Sequence, residues 1–111
     1  MAPKRKKENA RPLPPALRRA LSDSAEHLVT WRKLRGLTQT QLADRAGVAI
    51  NTLRRLEDGD GGVSLENTLR VIRALGILEN FTRALDPYET DVGRLRSEEQ
   101  LPVRIRPRNL G

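Results

Sequence analysis

The stretch that decides the fold is residues 38–59, which read TQTQLADRAGVAINTLRRLEDG. It predicts two short helices joined by a tight turn at Gly47, because glycine adopts the positive φ that ends a helix without a steric penalty. Thr38 and Gln41 have the spacing of a capping box, so the first helix has a defined start. Both helices have an apolar inner face, formed by Leu42, Ala43, Ala46, Val48, Leu53 and Leu56.

The outer face of the second helix is polar and basic. It carries Asn51, Thr52, Arg54 and Arg55. Two short helices around a tight turn, with the second helix polar outside, are typical of a helix-turn-helix whose second helix enters the DNA major groove. A helical hairpin of purely structural use is the alternative. It is disfavoured because the glycine, the cap and the apolar positions all agree with one another.

The motif resembles the Cro and lambda-repressor type of helix-turn-helix protein, the XRE family. The similarity covers about residues 22–85 and implies an all-α, five-helix, lambda-repressor-like DNA-binding domain. The residues that carry it are Leu37-Thr38-Gln39, Leu42-Ala43, Ala46-Gly47-Val48, Leu56-Glu57 and Gly59.

The resemblance implies that some side chains contact the DNA backbone. Gln39 is expected to donate to a phosphate, at a helix start where backbone N–H groups and the helix dipole also favour an anion. Thr52 and Arg54 are expected to hold phosphates rather than to read sequence. Asn67, in the helix that follows the motif, is a further candidate for a backbone contact.

The resemblance also implies which side chains reach base edges: Ile50, Asn51 and Arg55. Arg55 is suited to bidentate pairing with guanine and Asn51 with adenine, each worth roughly 1–3 kcal/mol of discrimination. Ile50 departs from the polar residue often found at its position. It either touches a thymine methyl group or only flanks the core.

The region before the motif predicts a helix from about Asp23 to Leu34, with an Asp23–Glu26 capping box and Gly36 at its end. Leu28, Trp31 and Leu34 are expected to pack in the core. His27, the only histidine, is expected to be solvated.

The residues after the motif predict a flexible acidic loop over 58–62, which lacks the regular oxygen ligands of an EF-hand. Ser64 is the expected N-cap of the next helix, where apolar residues recur at helical spacing. Those residues are Leu65, Leu69, Ile72 and Leu75.

Gly76 interrupts this pattern, and a last short helix is expected before Asp86-Pro87. Its apolar residues are Leu78, Phe81 and Leu85. Proteins similar to Cro commonly dimerise through this region, so the resemblance implies a homodimer that uses these three residues. The alternative is that they fold back on their own core.

The net charge of +7 is concentrated near the N-terminus, where residues 1–20 contain seven basic residues and one acidic residue. This segment predicts a flexible, disordered basic arm before the domain at 21–85. Its cluster of Lys4, Arg5, Lys6 and Lys7 either follows the DNA backbone or only solubilises the chain, and the two roles have equal weight.

Residues 86–111 predict an extended tail. Within residues 86–99 the only large aliphatic residues are Val92 and Leu95, and Gly93 lies between them, so no clear helix is required. Residues 101–106 alternate between apolar and polar side chains, which indicates a possible edge strand that would seek a partner. A disordered basic end has similar weight.

The overall layout is also similar to that of the HipB-like antitoxins, small Cro-type repressors that accompany HipA-like kinase toxins. This similarity rests on the entry Gly-Val-Ser-Leu-Glu-Asn at residues 62–67, on Leu75-Gly76 and on Leu85-Asp86-Pro87. It implies an autoregulatory repressor that binds double-stranded DNA as a dimer and engages a HipA-like kinase. A stand-alone phage-type or metabolic regulator, or a protein-interaction module, is the alternative.

Composition argues against other classes of function. The chain has no cysteine, one histidine, one tyrosine and no glycine-rich phosphate loop, so neither an enzyme, a metal site nor a cofactor is expected. No apolar run reaches the roughly 18 residues of a membrane span. The lack of cysteine and of a signal-like N-terminus predicts a cytoplasmic protein.

Overall fold

The structure is a computed structural model that describes residues 11–101. The described residues form six α-helices, a short 3-10 helix at Pro87–Glu89 and no strand, so the predicted all-α fold is confirmed. The six helices are α1 (Pro15–Leu34), α2 (Gln39–Ala46), α3 (Ile50–Glu57), α4 (Leu65–Ala74), α5 (Leu78–Leu85) and α6 (Asp91–Gln100). The chain divides after Leu75 into two compact units.

The first unit contains α1 to α4 around one apolar core. α2 packs against both α3 and α4, and α3 also packs against α1. The most deeply buried side chains are Leu42 of α2, Leu53 of α3, Val71 of α4 and Leu75 at the end of α4. The other buried residues of the core are Ala25, Leu28, Leu37, Ala43, Ala46 and Ile72.

Local signals fix where α2 begins and ends. The Thr38 hydroxyl accepts the Gln41 N–H at 3.1 Å, and the Gln41 side chain accepts the Thr38 N–H at 2.9 Å, which confirms the capping box. Gly47 has φ +74°, and the next N–H, that of Val48, donates to the Ala43 carbonyl at 3.1 Å. This left-handed turn directs the chain into α3.

The first helix is longer than predicted. α1 begins at Pro15, where a proline in the first turn has no N–H that needs a partner, and the N–H groups of Leu17 and Arg18 both donate to the Pro14 carbonyl. Residues 15–20, assigned to the arm, are therefore helical, and the capping box expected at Asp23 is wrong because Asp23 lies inside α1. Lys4, Arg5, Lys6 and Lys7 lie outside the described residues.

Three predicted core residues are less buried than expected. Leu34 is 70% exposed because it lies off the inward stripe of α1 that contains Ala25 and Leu28. Leu65 is 64% exposed in the first turn of α4, before the buried part of that helix. Trp31 is half-buried, and the Arg35 guanidinium lies 5.1 Å from its ring centroid.

The second unit contains α5 and α6. α5 has the predicted extent and ends before Asp86-Pro87, but residues 91–100 are helical rather than extended. Thr90 accepts the Gly93 N–H at 2.9 Å and so caps α6. Gly93 does not interrupt this helix; it is required there, because a Cβ would overlap the Pro87 carbonyl. The strand predicted at 101–106 lies outside the described residues from position 102 onward.

The core assignment predicts unequal effects for two leucines. Leu53→Ala should lower the free energy of unfolding by about 2–5 kcal/mol, because Leu53 is fully buried and its truncation leaves a cavity. Leu34→Ala should change it by no more than about 0.5 kcal/mol, since Leu34 is mostly exposed. Urea unfolding followed by Trp31 fluorescence measures both, and equal losses would contradict the assignment.

Candidate nucleic-acid interface

Buried and exposed side chains lie within the same turn of α3. Leu53 is fully buried, whereas the flanking Asn51, Arg54 and Arg55 are exposed. The expected polar and basic outer face is therefore present. Because Leu53 fixes the rotation of α3, these exposed residues have a defined direction relative to the core.

The first turn of α3 is only partly accessible. Ile50 and Thr52 are half-buried, so Ile50 lies at the border between the core and the outer face. Arg54 donates to the Asn51 side-chain oxygen at 3.4 Å, a long hydrogen bond between two exposed groups. Such a contact is weak enough to be exchanged for another partner at little cost.

Arg55 is held in an ion pair at the other end of α3. Its Nε donates to Oδ2 of Asp60 at 2.8 Å, with the two side chains 50% and 42% exposed. Asp60 belongs to the loop that follows α3. The guanidinium predicted to read a base therefore has a partner in the protein itself.

Gln39 occupies the first position of α2, where a phosphate contact was predicted. Its side-chain amide donates to Oε1 of Glu57 at 2.8 Å and is half-buried. This bond ties the start of α2 to the end of α3. Gln39 is therefore also part of the internal structure that positions the outer face.

A buried ion pair lies beneath these residues. Arg32 of α1 donates to Glu57 through Nε at 2.7 Å and through Nη2 at 3.1 Å, and the side chains are 13% and 5% exposed. The third group, Nη1, donates to the Leu37 carbonyl at 3.0 Å. One arginine thus links α1, the connection to α2 and the last residue of α3.

Sequence reasoning missed this network. It placed Glu57 among the residues that carry the family resemblance, without a partner, and gave no role to Arg32. The partners are 25 residues apart, so no local pattern indicates that they pair. The one available signal was Glu57 itself, an acidic residue in the matched motif directly after the apolar Leu56.

The start of α4 has the predicted cap. Ser64 accepts the Asn67 N–H at 3.0 Å, which confirms Ser64 as the N-cap and places Asn67 in the first turn. The side chain of Asn67 is half-buried, and the exposed Glu66 pairs with Arg70 at 3.1 Å.

The residues proposed for dimerisation lie in the second unit. Leu78 and Phe81 are half-buried, and Leu85 is 70% exposed. Within residues 11–101, no helix is long and apolar enough to cross a membrane, and no group of three or more His, Cys, Asp or Glu side chains is placed to hold a metal ion.

The helix-turn-helix family model matches residues 28–79, which run from the last two turns of α1 to the first residues of α5. Over these residues the chain is similar to helix-turn-helix domains of this family. The predicted resemblance to the Cro and lambda-repressor type is thereby confirmed. Neither the family match nor the geometry bears on the more specific similarity to HipB-like antitoxins.

Part of the chain is also similar to a curated transcriptional repressor. The chain is 35% identical over 52 residues to the cryptic phage CTXphi transcriptional repressor RstR of Vibrio cholerae serotype O1. The match covers 47% of this chain and 46% of that repressor, so it spans about half the length of either protein. No solved structure matches the chain significantly.

The buried network predicts a large effect of a nearly isosteric substitution. Glu57→Gln should lower the free energy of unfolding by about 3 kcal/mol, because it leaves the largely buried Arg32 charge without its partner. Glu66→Gln breaks an exposed ion pair and should cost less than about 1 kcal/mol. Chemical denaturation of both variants tests this, and similar costs would show that the network is not stabilising.

Proposed function

We propose that this protein is a sequence-specific DNA-binding transcriptional repressor that acts in the cytoplasm and reads its operator with α3. The observation that carries this proposal is that one short helix contains both a fully buried residue, Leu53, and the exposed Asn51, Arg54 and Arg55. A helix fixed on one side and polar and basic on the other is suited to enter a major groove. The phage repressor that the domain resembles supports repression over activation.

The side chains proposed to contact DNA divide into two roles. Asn51 and Arg55 would pair with adenine and guanine edges. Arg54 and the half-buried Thr52 and Gln39 would contact phosphates. Asn67 would extend the phosphate contacts from the first turn of α4. Few side chains would thus specify the sequence, and the others would fix the register on the DNA.

A dimer is part of this proposal. A single helix of this size contacts only a few base pairs, whereas two copies related by a two-fold axis place two α3 helices about one DNA turn apart. The exposed Leu85 and the half-buried Leu78 and Phe81 of α5 are the proposed contact. Analytical ultracentrifugation of Phe81→Asp against the unchanged protein tests it, and an unchanged mass would exclude this contact.

The antitoxin role is the more specific form of the same proposal. It requires a HipA-like kinase encoded beside this protein and bound to it. Co-purification of the neighbouring gene product would support that role. Its absence would leave a stand-alone phage-type or metabolic regulator, which the similarity to a phage repressor favours.

Autoregulation predicts a protected site on the DNA upstream of the protein's own gene. Footprinting at moderate salt should show protection with two-fold symmetry, because repressors of this kind bind symmetric half-sites. Adding the neighbouring gene product tests whether a partner changes the protection. Complete absence of protection would contradict autoregulation.

The assignment of Arg55 predicts a loss of both affinity and discrimination. Arg55→Ala should weaken binding to a selected duplex by about 1–3 kcal/mol and relax the base preference at one position. Arg73→Ala removes the same charge from an exposed site on α4 and should leave the base preference intact. Competition binding with single-base variants of the duplex measures both. Unchanged preference in Arg55→Ala would remove Arg55 from the readout.

A further inference from the structure

The end of α3 has a specific backbone arrangement that brings Asp60 beside Arg55. The Gly59 N–H donates to the Leu56 carbonyl at 3.1 Å, and the Asp60 N–H donates to the Arg55 carbonyl at 3.0 Å, with Gly59 at φ +84°. These two bonds define the Schellman motif, in which the second residue beyond the helix folds back over its last turn.

In that motif the folded-back residue usually makes an apolar contact with the helix. Here the contact is the ion pair between Arg55 Nε and Asp60 Oδ2, at 2.8 Å. Asp60 is thus joined to Arg55 twice, through its backbone N–H and through its carboxylate. A surface ion pair between two untethered side chains has no such constraint.

The other carboxylate oxygen is fixed by the loop. Oδ1 of Asp60 accepts the Gly62 N–H at 2.7 Å. Gly62 also lies close over the pair, since a Cβ on it would be 3.1 Å from Asp60 Oδ1 and 3.3 Å from Arg55 Nη2. The carboxylate is therefore held through one oxygen by the Gly62 N–H, and through the other oxygen it holds the guanidinium.

We propose that Asp60 is a positioning residue that sets how Arg55 reads a base, an inference that rests on the proposed function. Asp60 engages Nε, so the donors that would bond O6 and N7 of one guanine are Nη1 and Nη2. A guanidinium already held in place loses less rotamer freedom when it docks. The readout therefore becomes more selective without a new contact to DNA.

The same carboxylate has an opposite effect on non-specific binding. A negative charge beside Arg55 offsets the attraction of that arginine for phosphates, which is the source of sequence-independent affinity. Asp60 should therefore weaken binding to arbitrary DNA while it favours the correct base. A residue that only competed with DNA for Arg55 would weaken both kinds of binding equally.

The test uses the full chain and a duplex that it selects from a random DNA pool. In the comparison duplex one guanine is replaced. It is the guanine at which the Arg55→Ala variant has lost its base preference. Asp60→Asn keeps an oxygen for the Gly62 N–H and the backbone bond but loses the charge. At one fixed salt concentration, Asp60→Asn should lower the ratio of the affinity for the selected duplex to that for the comparison duplex. The expected decrease is roughly tenfold, which is the contribution of one moderate base contact. The variant should also bind the comparison duplex more tightly.

Two control variants separate positioning from charge. Glu66→Gln removes the same charge from an exposed ion pair with Arg70 on α4, and it should leave the affinity ratio unchanged. Asp60→Glu keeps the charge but shifts the carboxylate by one methylene group. It should lower the ratio while binding to the comparison duplex stays the same.

The outcomes distinguish this inference from the proposed function. In the Arg55→Ala background, Asp60→Asn should leave the affinity ratio unchanged, because the group that it positions is gone. An unchanged ratio in Asp60→Asn with Arg55 present, or an equal gain for both duplexes, overturns the positioning role. If the unchanged protein selects no sequence from the pool, the proposed function itself fails.

Discussion

The arrangement of the candidate interface depends on one buried contact, the ion pair between Arg32 and Glu57. Glu57 ends α3, and its carboxylate also accepts the Gln39 amide at the first residue of α2. Arg32 also donates to the Leu37 carbonyl, which lies in the connection between α1 and α2. The Arg32 guanidinium and the Glu57 carboxylate form two hydrogen bonds, and such geometry is needed to offset the desolvation of a buried ion pair. The two helices of the motif are thereby fixed to each other and to α1.

This buried network and the exposed ion pair at the end of α3 lie within three residues of each other. Glu57 faces inward and fixes where the helix sits, and Asp60, just beyond it, holds the outward-facing Arg55. The burial of Leu53 fixes the rotation of α3, so that its other face is exposed to solvent. A DNA-reading surface of a few side chains needs all three constraints, because a base contact is lost when a donor is displaced by a fraction of its bond length.

Features with local causes were predictable from the sequence. The capping box of Thr38 and Gln41, the turn at Gly47 and the cap at Ser64 each depend on residues within a few positions. Features with distant causes were not. The Arg32–Glu57 pair joins residues that are 25 positions apart. Gly93 was misjudged for another reason: glycine in general disfavours a helix interior, whereas here the Pro87 carbonyl leaves no room for a Cβ. The loop after α3 looks flexible by composition, yet Asp60 and Gly62 order it through specific hydrogen bonds.

The central claim is that the outer face of α3 decides which DNA sequence is bound. The most direct measurement is selection from a random duplex pool by the full chain and by a variant with Asn51, Arg54 and Arg55 all replaced by glutamine. Because these side chains are exposed, the variant should keep its helical circular dichroism and its thermal midpoint. We expect the variant to select a different sequence or none. Selection of the same sequence by both proteins would contradict it.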